Sequence, residues 1–267
     1  MIVTIDDPAD PRLADFRLLH GAAALRTRAD DAHFVAEGWV AIARTLDSGH
    51  AVRSLLLLPA RVARLRQEFP DLADSEVPVY VAEREVLEGS VGFDVHRGVL
   101  AAADRKPPPT IDDLASAATR LAVLEGLNDA ENVGVIARAA RALGVHGLVL
   151  DPTCTDPYAR RTVRVSMGEV LHLPVARASE WPGTLDRLAK HGFEIWALTP
   201  GAGASDIWSM RVPNRLALVF GAEGPGLSGG VMERATRRVR IPIAEDVDSL
   251  NVGHAAAVAF AVTGRPE

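Results

Sequence analysis

Three polar or glycine-rich segments in the C-terminal half of the chain follow predicted strands, where α/β proteins usually place a ligand site. The first spans residues 128–138 and reads NDAENVGVIAR. Its Asn132 could cap a helix, Gly134 would let another backbone approach closely, and Arg138 offers the planar donor fork that suits a phosphate. Taken alone, the segment favours a plainer interpretation, an N-capped helix with a solvated arginine.

The second segment, residues 215–230, is a buried strand that runs into a glycine-rich loop. Such a loop presents amide nitrogens to a ligand, and Glu223 would stand beside them as an acceptor. The glycines at the spacing of the dinucleotide fingerprint are Gly224, Gly226 and Gly229. With Glu245 about 20 residues further on, they leave open an NAD-dependent oxidoreductase. Against that alternative, Pro225 lacks the amide that a pyrophosphate would use, and too little chain follows to complete a dinucleotide-binding fold.

The third segment, residues 238–260, is a strand, an acidic loop and an alanine-rich helix. Ser249 is an acceptable N-cap for the helix, and Asn251 could turn its side-chain amide toward the mouth of the loop. The small alanines would let the helix pack closely on a sheet or on a partner subunit. His254 lies among them and is interpreted as a packed or capping histidine rather than a catalytic base.

Metal and thiol chemistry are not expected. No histidine, cysteine or carboxylate grouping has metal-ligand spacing, and the single Cys154 has no base near it in sequence. Two arginine clusters could line a phosphate path or simply be solvated helix faces, and the sequence favours neither interpretation. Their members are Arg160, Arg161, Arg164, Arg234, Arg237, Arg238 and Arg240.

The elements that must position these segments alternate between strand and helix. From residue 120 onward, strands such as RLAVLEG, GLVLD, FEIWALT and RLALVFG are separated by helical stretches such as NVGVIARAARALG. This alternation predicts an α/β fold with a parallel sheet that is covered on both faces. Upstream, residues 33–49 (HFVAEGWVAIARTLDSG) are predicted as a helix, and SLLLLP and VPVYVAE as strands.

Length and composition favour two domains. The chain has 267 residues, of which 48% are hydrophobic and 24% charged, as in ordinary globular proteins. The proline-rich stretch DRKPPPTIDD, residues 104–113, predicts a linker between a small α/β domain at 1–103 and a second domain at 114–267. The net charge of −6 means that a nucleic-acid partner would need a local basic patch.

The expected location is the cytoplasm, away from membranes. One cysteine cannot form an internal disulfide, and the N-terminus lacks the pattern of a signal peptide. The most apolar stretch, residues 255–262, is far too short to cross a bilayer.

In combination, the three segments resemble the signatures of the SpoU (TrmH-like) family of RNA 2′-O-ribose methyltransferases, in the SPOUT superfamily. The signature residues are Asn132, Gly134 and Arg138 in the first; Gly221, Glu223, Gly224 and Gly226 in the second; and Ile241, Pro242, Ser249, Leu250 and Asn251 in the third. The stretch ARRTVRVSMGEVLHLPV also resembles a family segment, so that the resemblance covers residues 118–264. The chain departs from the family pattern at Ala130, Gly253 and His254.

The resemblance implies S-adenosylmethionine as methyl donor, no metal, and a C-terminal domain with a deep trefoil knot, an exception to the usual rule that chains do not thread loops. The donor's adenine would be read by backbone groups of Gly221, Ile241 and Leu250, with Thr199 in the same binding set. The resemblance also implies a homodimer with its site near the interface, an N-terminal ribosomal-protein-like α/β module that holds RNA, and ribosomal or transfer RNA as substrate.

The resemblance further assigns roles at the site. Arg138 would be the catalytic arginine; because arginine is so weakly acidic, we expect it to clamp a phosphate and stabilise developing charge rather than act as a base. Asn132, Glu223 and Asn251 would position Arg138 and the ribose, with Ser249 at the same mouth. A non-catalytic RNA-binding protein is a further alternative, against which the retained Arg138, Glu223 and Asn251 argue.

Overall fold

The computed structural model describes residues 2–17, 32–201 and 203–264. Close contacts divide the chain into two compact units, one of Met1–Lys106 with Tyr158–Leu171, the other of Pro107–Pro157 with His172–Glu267. The first division falls within the stretch predicted as a linker, where the structure begins a helix at Ile111. No helix within the described ranges is long and apolar enough to span a bilayer.

The first unit contains a five-stranded mixed sheet in the order β1-β4-β3-β5-β2. Its strands are β1 (Ile2–Thr4), β2 (His33–Glu37), β3 (Val52–Leu57), β4 (Val79–Val81) and β5 (Val99–Asp104). Its helices are α1 (Trp39–Asp47), α2 (Val62–Glu68), α3 (Pro70–Asp74), α4 (Arg84–Val91) and α7 (Arg160–Val165), with 3₁₀ turns at Pro11–Phe16 and Pro59–Arg61. Strands β2 and β3 run antiparallel to β5, whereas β4 runs parallel to β1 and β3.

The prediction of a single helix over residues 33–49 was wrong. His33–Glu37 is a strand, and the helix begins only at Trp39. Four consecutive residues of the strand, from Phe34 to Glu37, are buried, so it lacks the alternation that identifies a half-exposed strand. Gly38, with φ of +89°, turns the chain between the two elements.

The second unit is built on a seven-stranded sheet in the order β10-β12-β9-β11-β6-β7-β8, all of whose neighbours pair in parallel. Its strands are β6 (Arg120–Glu125), β7 (Gly147–Leu150), β8 (Val175–Arg177), β9 (Glu194–Leu198), β10 (Ser205–Asp206), β11 (Leu216–Gly221) and β12 (Arg237–Arg240). Its helices are α5 (Ile111–Ala117), α6 (Ala130–Ala142), α8 (Thr184–Lys190), α9 (Gly229–Arg234) and α10 (Val252–Thr263), with 3₁₀ turns at Glu169–His172 and Ile207–Ser209. The predicted α/β fold with a parallel sheet is confirmed.

Helices cover both faces of this sheet. On one face, Leu114 of α5, Leu188 of α8 and Val231 of α9 share a core with alternate residues of the strands. On the other face, the ring of Phe220 in β11 meets Phe260 of α10 edge to face, with centroids 5.5 Å apart. Helix α10 also packs along α6. The strands are therefore buried on both sides, which explains their continuous apolar sequences.

Helix α7 packs within the first unit although it lies between β7 and β8 in the sequence. Arg160 forms an ion pair with the buried carboxylate of Glu37 and lies over the ring of Phe93, 3.7 Å from its centroid. Arg44 forms a second ion pair with Glu169, with Nε and Oε1 3.0 Å apart. These contacts hold the segment to the first unit.

Candidate active site

A pocket opens at the carboxyl edge of the parallel sheet of the second unit. Its walls come from the ends of β9 and β11, the residues after β12, and the residues that lead into α10. The residues proposed from the sequence that line it are Thr199, Gly221, Glu223, Ile241, Ser249 and Leu250. Because parallel strands end at one edge, positions more than 50 residues apart in sequence meet here. All four residues expected to bind the cofactor therefore line one pocket.

Sequence reasoning missed several apolar members of this wall, among them Leu198, Phe220 and Ile243. They are ordinary core residue types at strand ends, so nothing in their identity marks a ligand. The signal that could have found them is position: Leu198 and Phe220 lie at the carboxyl ends of β9 and β11, and Ile243 follows the end of β12.

The glycine-rich loop after β11 folds sharply back on itself. The Gly226 amide donates to the Ala222 carbonyl at 3.0 Å. A Cβ on Gly221 would lie only 2.5 Å from the carbonyl carbon of Gly226, so no larger residue fits without moving the loop. Gly224 and Gly226 have φ of +88° and +69°, the left-handed region that glycine adopts without strain. The loop therefore presents its backbone, rather than side chains, to the pocket.

Three of the proposed catalytic residues meet at the mouth of the pocket. The side-chain amide of Asn251 donates to Glu223 Oε1 at 2.6 Å and lies 2.9 Å from Asn132 Oδ1. Asn132 Nδ2 donates to the same Glu223 oxygen at 3.3 Å. One residue from each signature segment thus takes part in a single hydrogen-bonded group, which we call the mouth triangle.

The predicted helix caps were wrong at both neighbouring helices. Asp129, not Asn132, caps α6, accepting from the Glu131 amide at 2.9 Å. Asn132 lies in the first turn of that helix, where its side chain can reach the mouth triangle.

At α10, Asn251 rather than Ser249 is the cap, and its Oδ1 accepts from the amides of Gly253 and His254 at 2.9 and 3.3 Å. Its Nδ2 points the other way, into the mouth triangle. Capping explains why an asparagine suits this position, since one side-chain amide fills both roles. Ser249 is exposed and lines the pocket instead.

Arg138 stands apart from the mouth triangle. It is exposed on α6 and forms no hydrogen bond or ion pair with the described residues. It follows Asn132 by six positions, which on a helix places their Cα atoms about 10 Å apart and their side chains on different faces. The guanidinium is therefore available to a ligand outside the pocket.

The arginine clusters divide into two kinds. Arg160 forms an ion pair with Glu37, and Arg234 forms one with Asp186, with Nε and Oδ2 3.2 Å apart. By contrast, the exposed arginines of β12 form no hydrogen bond or ion pair with the described part of the chain. These are Arg237, Arg238 and Arg240.

Cys154 is buried, and this burial, with the nearby Asp151 carboxylate, raises the pKa of its thiol to about 12. Such a thiol holds its proton at neutral pH and is a poor nucleophile. Within residues 2–17, 32–201 and 203–264, no cluster of three metal-binding side chains occurs.

Comparisons with known proteins agree on one family. The model of the SpoU rRNA methylase family matches residues 119–261. Over 261 residues the chain is 42% identical to an uncharacterized tRNA/rRNA methyltransferase of Mycobacterium tuberculosis, covering 95% of this chain and 88% of that protein.

Solved structures share the fold over nearly the whole chain. An AdoMet-bound rRNA methyltransferase from Sinorhizobium meliloti superposes with a TM-score of 0.80 at 24% identity, covering 98% of this chain and 97% of that one. An RNA 2′-O ribose methyltransferase superposes with a TM-score of 0.76 at 27% identity, covering 98% of both chains.

Proposed function

Because the chain belongs to the SpoU rRNA methylase family, we propose that it transfers a methyl group from S-adenosylmethionine to a ribose 2′-hydroxyl of structured ribosomal or transfer RNA. The observation that carries this proposal is the mouth triangle of Asn132, Glu223 and Asn251 beside a pocket at the sheet edge. The 2′-hydroxyl as acceptor is supported by the likeness to a solved RNA 2′-O ribose methyltransferase over 98% of the chain.

The pocket residues fit the proposed methyl donor. The inner wall is apolar, with Leu198, Phe220 and Ile241, and suits a flat purine. The open backbone at Gly224 and Gly226, where an added Cβ would meet nothing within 4 Å, leaves room along the loop. Polar side chains gather at the mouth. We assign Thr199, Gly221, Ile241 and Leu250 to donor binding.

S-adenosylmethionine, when bound, supplies an electrophilic methyl group. Asn132, Glu223 and Asn251 then hold the acceptor ribose at the mouth, since their amides and carboxylate offer hydrogen-bond partners for ribose hydroxyls. Ser249 adds a hydroxyl at the same rim. Arg138, free of partners within the described residues and outside the mouth triangle, clamps the RNA phosphate with two donors, and through that phosphate it stabilises the negative charge that develops as the 2′-oxygen loses its proton. We propose this phosphate as the proton acceptor.

The same proposal includes assembly and topology. Following the family resemblance, we assign a homodimer with the site near its interface, where the exposed apolar side chains of Val135 on α6 and Leu250 at the mouth would be buried. We assign a deep trefoil knot to the second unit. We assign RNA binding to the first unit, which would give the RNA substrate a second binding surface. Size-exclusion chromatography with light scattering tests the dimer: a mass of one chain would contradict it.

An NAD-dependent oxidoreductase fits the structure less well. The helix that follows Gly224, Gly226 and Gly229 spans only Gly229–Arg234, whereas the dinucleotide fingerprint opens a full crossover helix. The family assignment favours methyl transfer for the same loop. A non-catalytic RNA binder remains the second alternative, and an activity measurement separates it.

Calorimetric titration with S-adenosylmethionine, with NADH as the control, tests the donor. We expect saturable binding of the methyl donor at micromolar concentrations and none of NADH. Transfer of labelled methyl from the donor into total RNA then tests the reaction. NADH binding without methyl-donor binding would overturn the proposal in favour of the oxidoreductase; donor binding without transfer to any RNA would favour the non-catalytic binder.

A further inference from the structure

Glu125 is a buried carboxylate at the base of the pocket loop. It is the last residue of β6, directly beside Gly221 of β11 in the sheet, and only 8% of it is exposed. None of the described cationic side chains forms an ion pair with it. A buried carboxylate without a cation is costly unless hydrogen-bond donors satisfy it. The hydrogen-bond donors around Glu125 therefore indicate its role.

Three donors converge on this carboxylate. Oε1 accepts from Trp181 Nε1 at 2.7 Å and from the Ser228 hydroxyl at 2.7 Å. Oε2 accepts from the backbone amide of Ser228 at 2.8 Å. Two of the three bonds thus go to one residue, and that residue is where the glycine-rich loop ends and α9 begins.

The loop is fixed at both ends by different means. Its entry at Gly221 is held by the pairing of β11 with β6. Its exit at Ser228 is held by Glu125, which extends from the end of that same strand β6. Between them lie Ala222, Glu223, Gly224 and Gly226, all of which line the pocket. The geometry of this wall depends on where Ser228 is held.

We propose that Glu125 is a positioning residue for the methyl-donor pocket: its carboxylate clamps Ser228 and so holds the glycine loop in its binding conformation. The proposal rests on the proposed function for the identity of the ligand. It extends the site to a residue that does not line the pocket.

Glu125→Gln tests the clamp with almost no change of shape. A carboxylate only accepts hydrogen bonds, whereas a glutamine side chain must point two N–H donors at one of its former partners. In one contact, with Ser228 or with Trp181, an N–H of the glutamine would then face another hydrogen-bond donor. We expect the Kd for S-adenosylmethionine, measured by calorimetry, to rise about tenfold.

Two further variants separate an effect on the glycine loop from an effect on the stability of the fold. Trp181→Phe removes one donor to Glu125 but leaves both bonds to Ser228, so the Kd should stay within about twofold of wild type. Ser228→Ala, at an exposed position, removes the hydroxyl bond to Glu125 together with the helix-cap bond that the same oxygen accepts from the Val231 amide, and it keeps the Ser228 amide bond to Glu125; it should raise the Kd about threefold. Because both changes act through one clamp, the Glu125→Gln/Ser228→Ala double variant should bind within twofold of Glu125→Gln alone.

Hydrogen exchange gives a readout that needs no ligand: amides of residues 222–228 should exchange faster in Glu125→Gln than in wild type. If wild type fails to bind the donor, the proposed function fails, and exchange alone decides the clamp. Donor binding and loop exchange unchanged in a folded Glu125→Gln would overturn the clamp. So would Trp181→Phe weakening binding as much as Glu125→Gln. If Glu125→Gln does not fold, Ser228→Ala decides, and an unchanged Kd there refutes the proposal.

Discussion

Arg138→Lys is the change that separates chemistry from folding at this site. Arg138 is exposed on α6 and touches no described residue through a hydrogen bond or ion pair. Lysine keeps the positive charge and is an equally good helix former, but it replaces a two-pronged planar donor by a point charge. The perturbation therefore changes how a phosphate is held and little else.

The structure sets the expected magnitudes. A surface substitution without native contacts should cost less than about 0.5 kcal/mol of unfolding free energy, which is under about 2 °C in Tm for a unit of this size. Losing one charge-assisted hydrogen bond to phosphate costs roughly 1.5–3 kcal/mol. In a rate, that corresponds to a decrease of roughly 10- to 150-fold.

The assay is single-turnover methyl transfer into RNA at saturating enzyme, with the Kd for the methyl donor measured alongside. Arg141→Lys on the same helix, also exposed, is the matched control and should behave as wild type. Full activity in Arg138→Lys would refute the phosphate clamp. A loss of donor binding would place Arg138 in the pocket, which also contradicts the account.

Three other predictions concern different parts of the chain. Asn251→Asp should keep the cap of α10, because Asp caps a helix as well as Asn does. It removes the amide that donates to Glu223 and places a second carboxylate beside it, so that the two carboxylates repel each other by about 1 kcal/mol. We expect the rate of methyl transfer to fall at least tenfold. Cys154, whose burial raises its pKa to about 12, should resist iodoacetamide at pH 8 until urea unfolds the protein. Arg160→Ala should lower the unfolding free energy by about 3 kcal/mol, measured by denaturant titration, because it leaves the Glu37 carboxylate buried without its cation.

Each of these has an outcome that contradicts it. Wild-type transfer rates in Asn251→Asp would mean that the mouth triangle does not position the ribose. Rapid alkylation of native Cys154 would show an accessible thiolate. The control is Arg66→Ala, which replaces an exposed arginine on α2. If the two variants have the same unfolding free energy, the buried ion pair of Arg160 makes no net contribution to stability.

The sheet of the second unit could be predicted because its strands have a simple signal. Continuous apolar segments such as residues 121–124 and 216–220, separated by helical stretches, are typical of parallel strands covered on both faces. The same rule failed at His33–Glu37, where a buried strand runs directly into a helix across one glycine and the two patterns merge. Periodicity cannot divide such a segment.

The site could be predicted only in part, because sequence identifies residue types and not their partners. The sequence identified the polar residues of the mouth triangle but not the helix caps. Asn132 was predicted to cap α6, which Asp129 caps, and Ser249 was predicted to cap α10, which Asn251 caps. Several acceptable caps stood within three residues of each other, and their backbone angles decide among them. Glu125 ends an apolar strand, and only the fold shows that Ser228, 103 residues later, comes to meet it.

The most direct test of methyl transfer to ribose is the identity of the methylated nucleoside. Total RNA treated with the protein and isotopically labelled S-adenosylmethionine would be digested to nucleosides and analysed by mass spectrometry. We expect the label in a 2′-O-methylnucleoside, on the sugar fragment, and less of it with Arg138→Lys. Label on a base, or none in any RNA, would contradict the account.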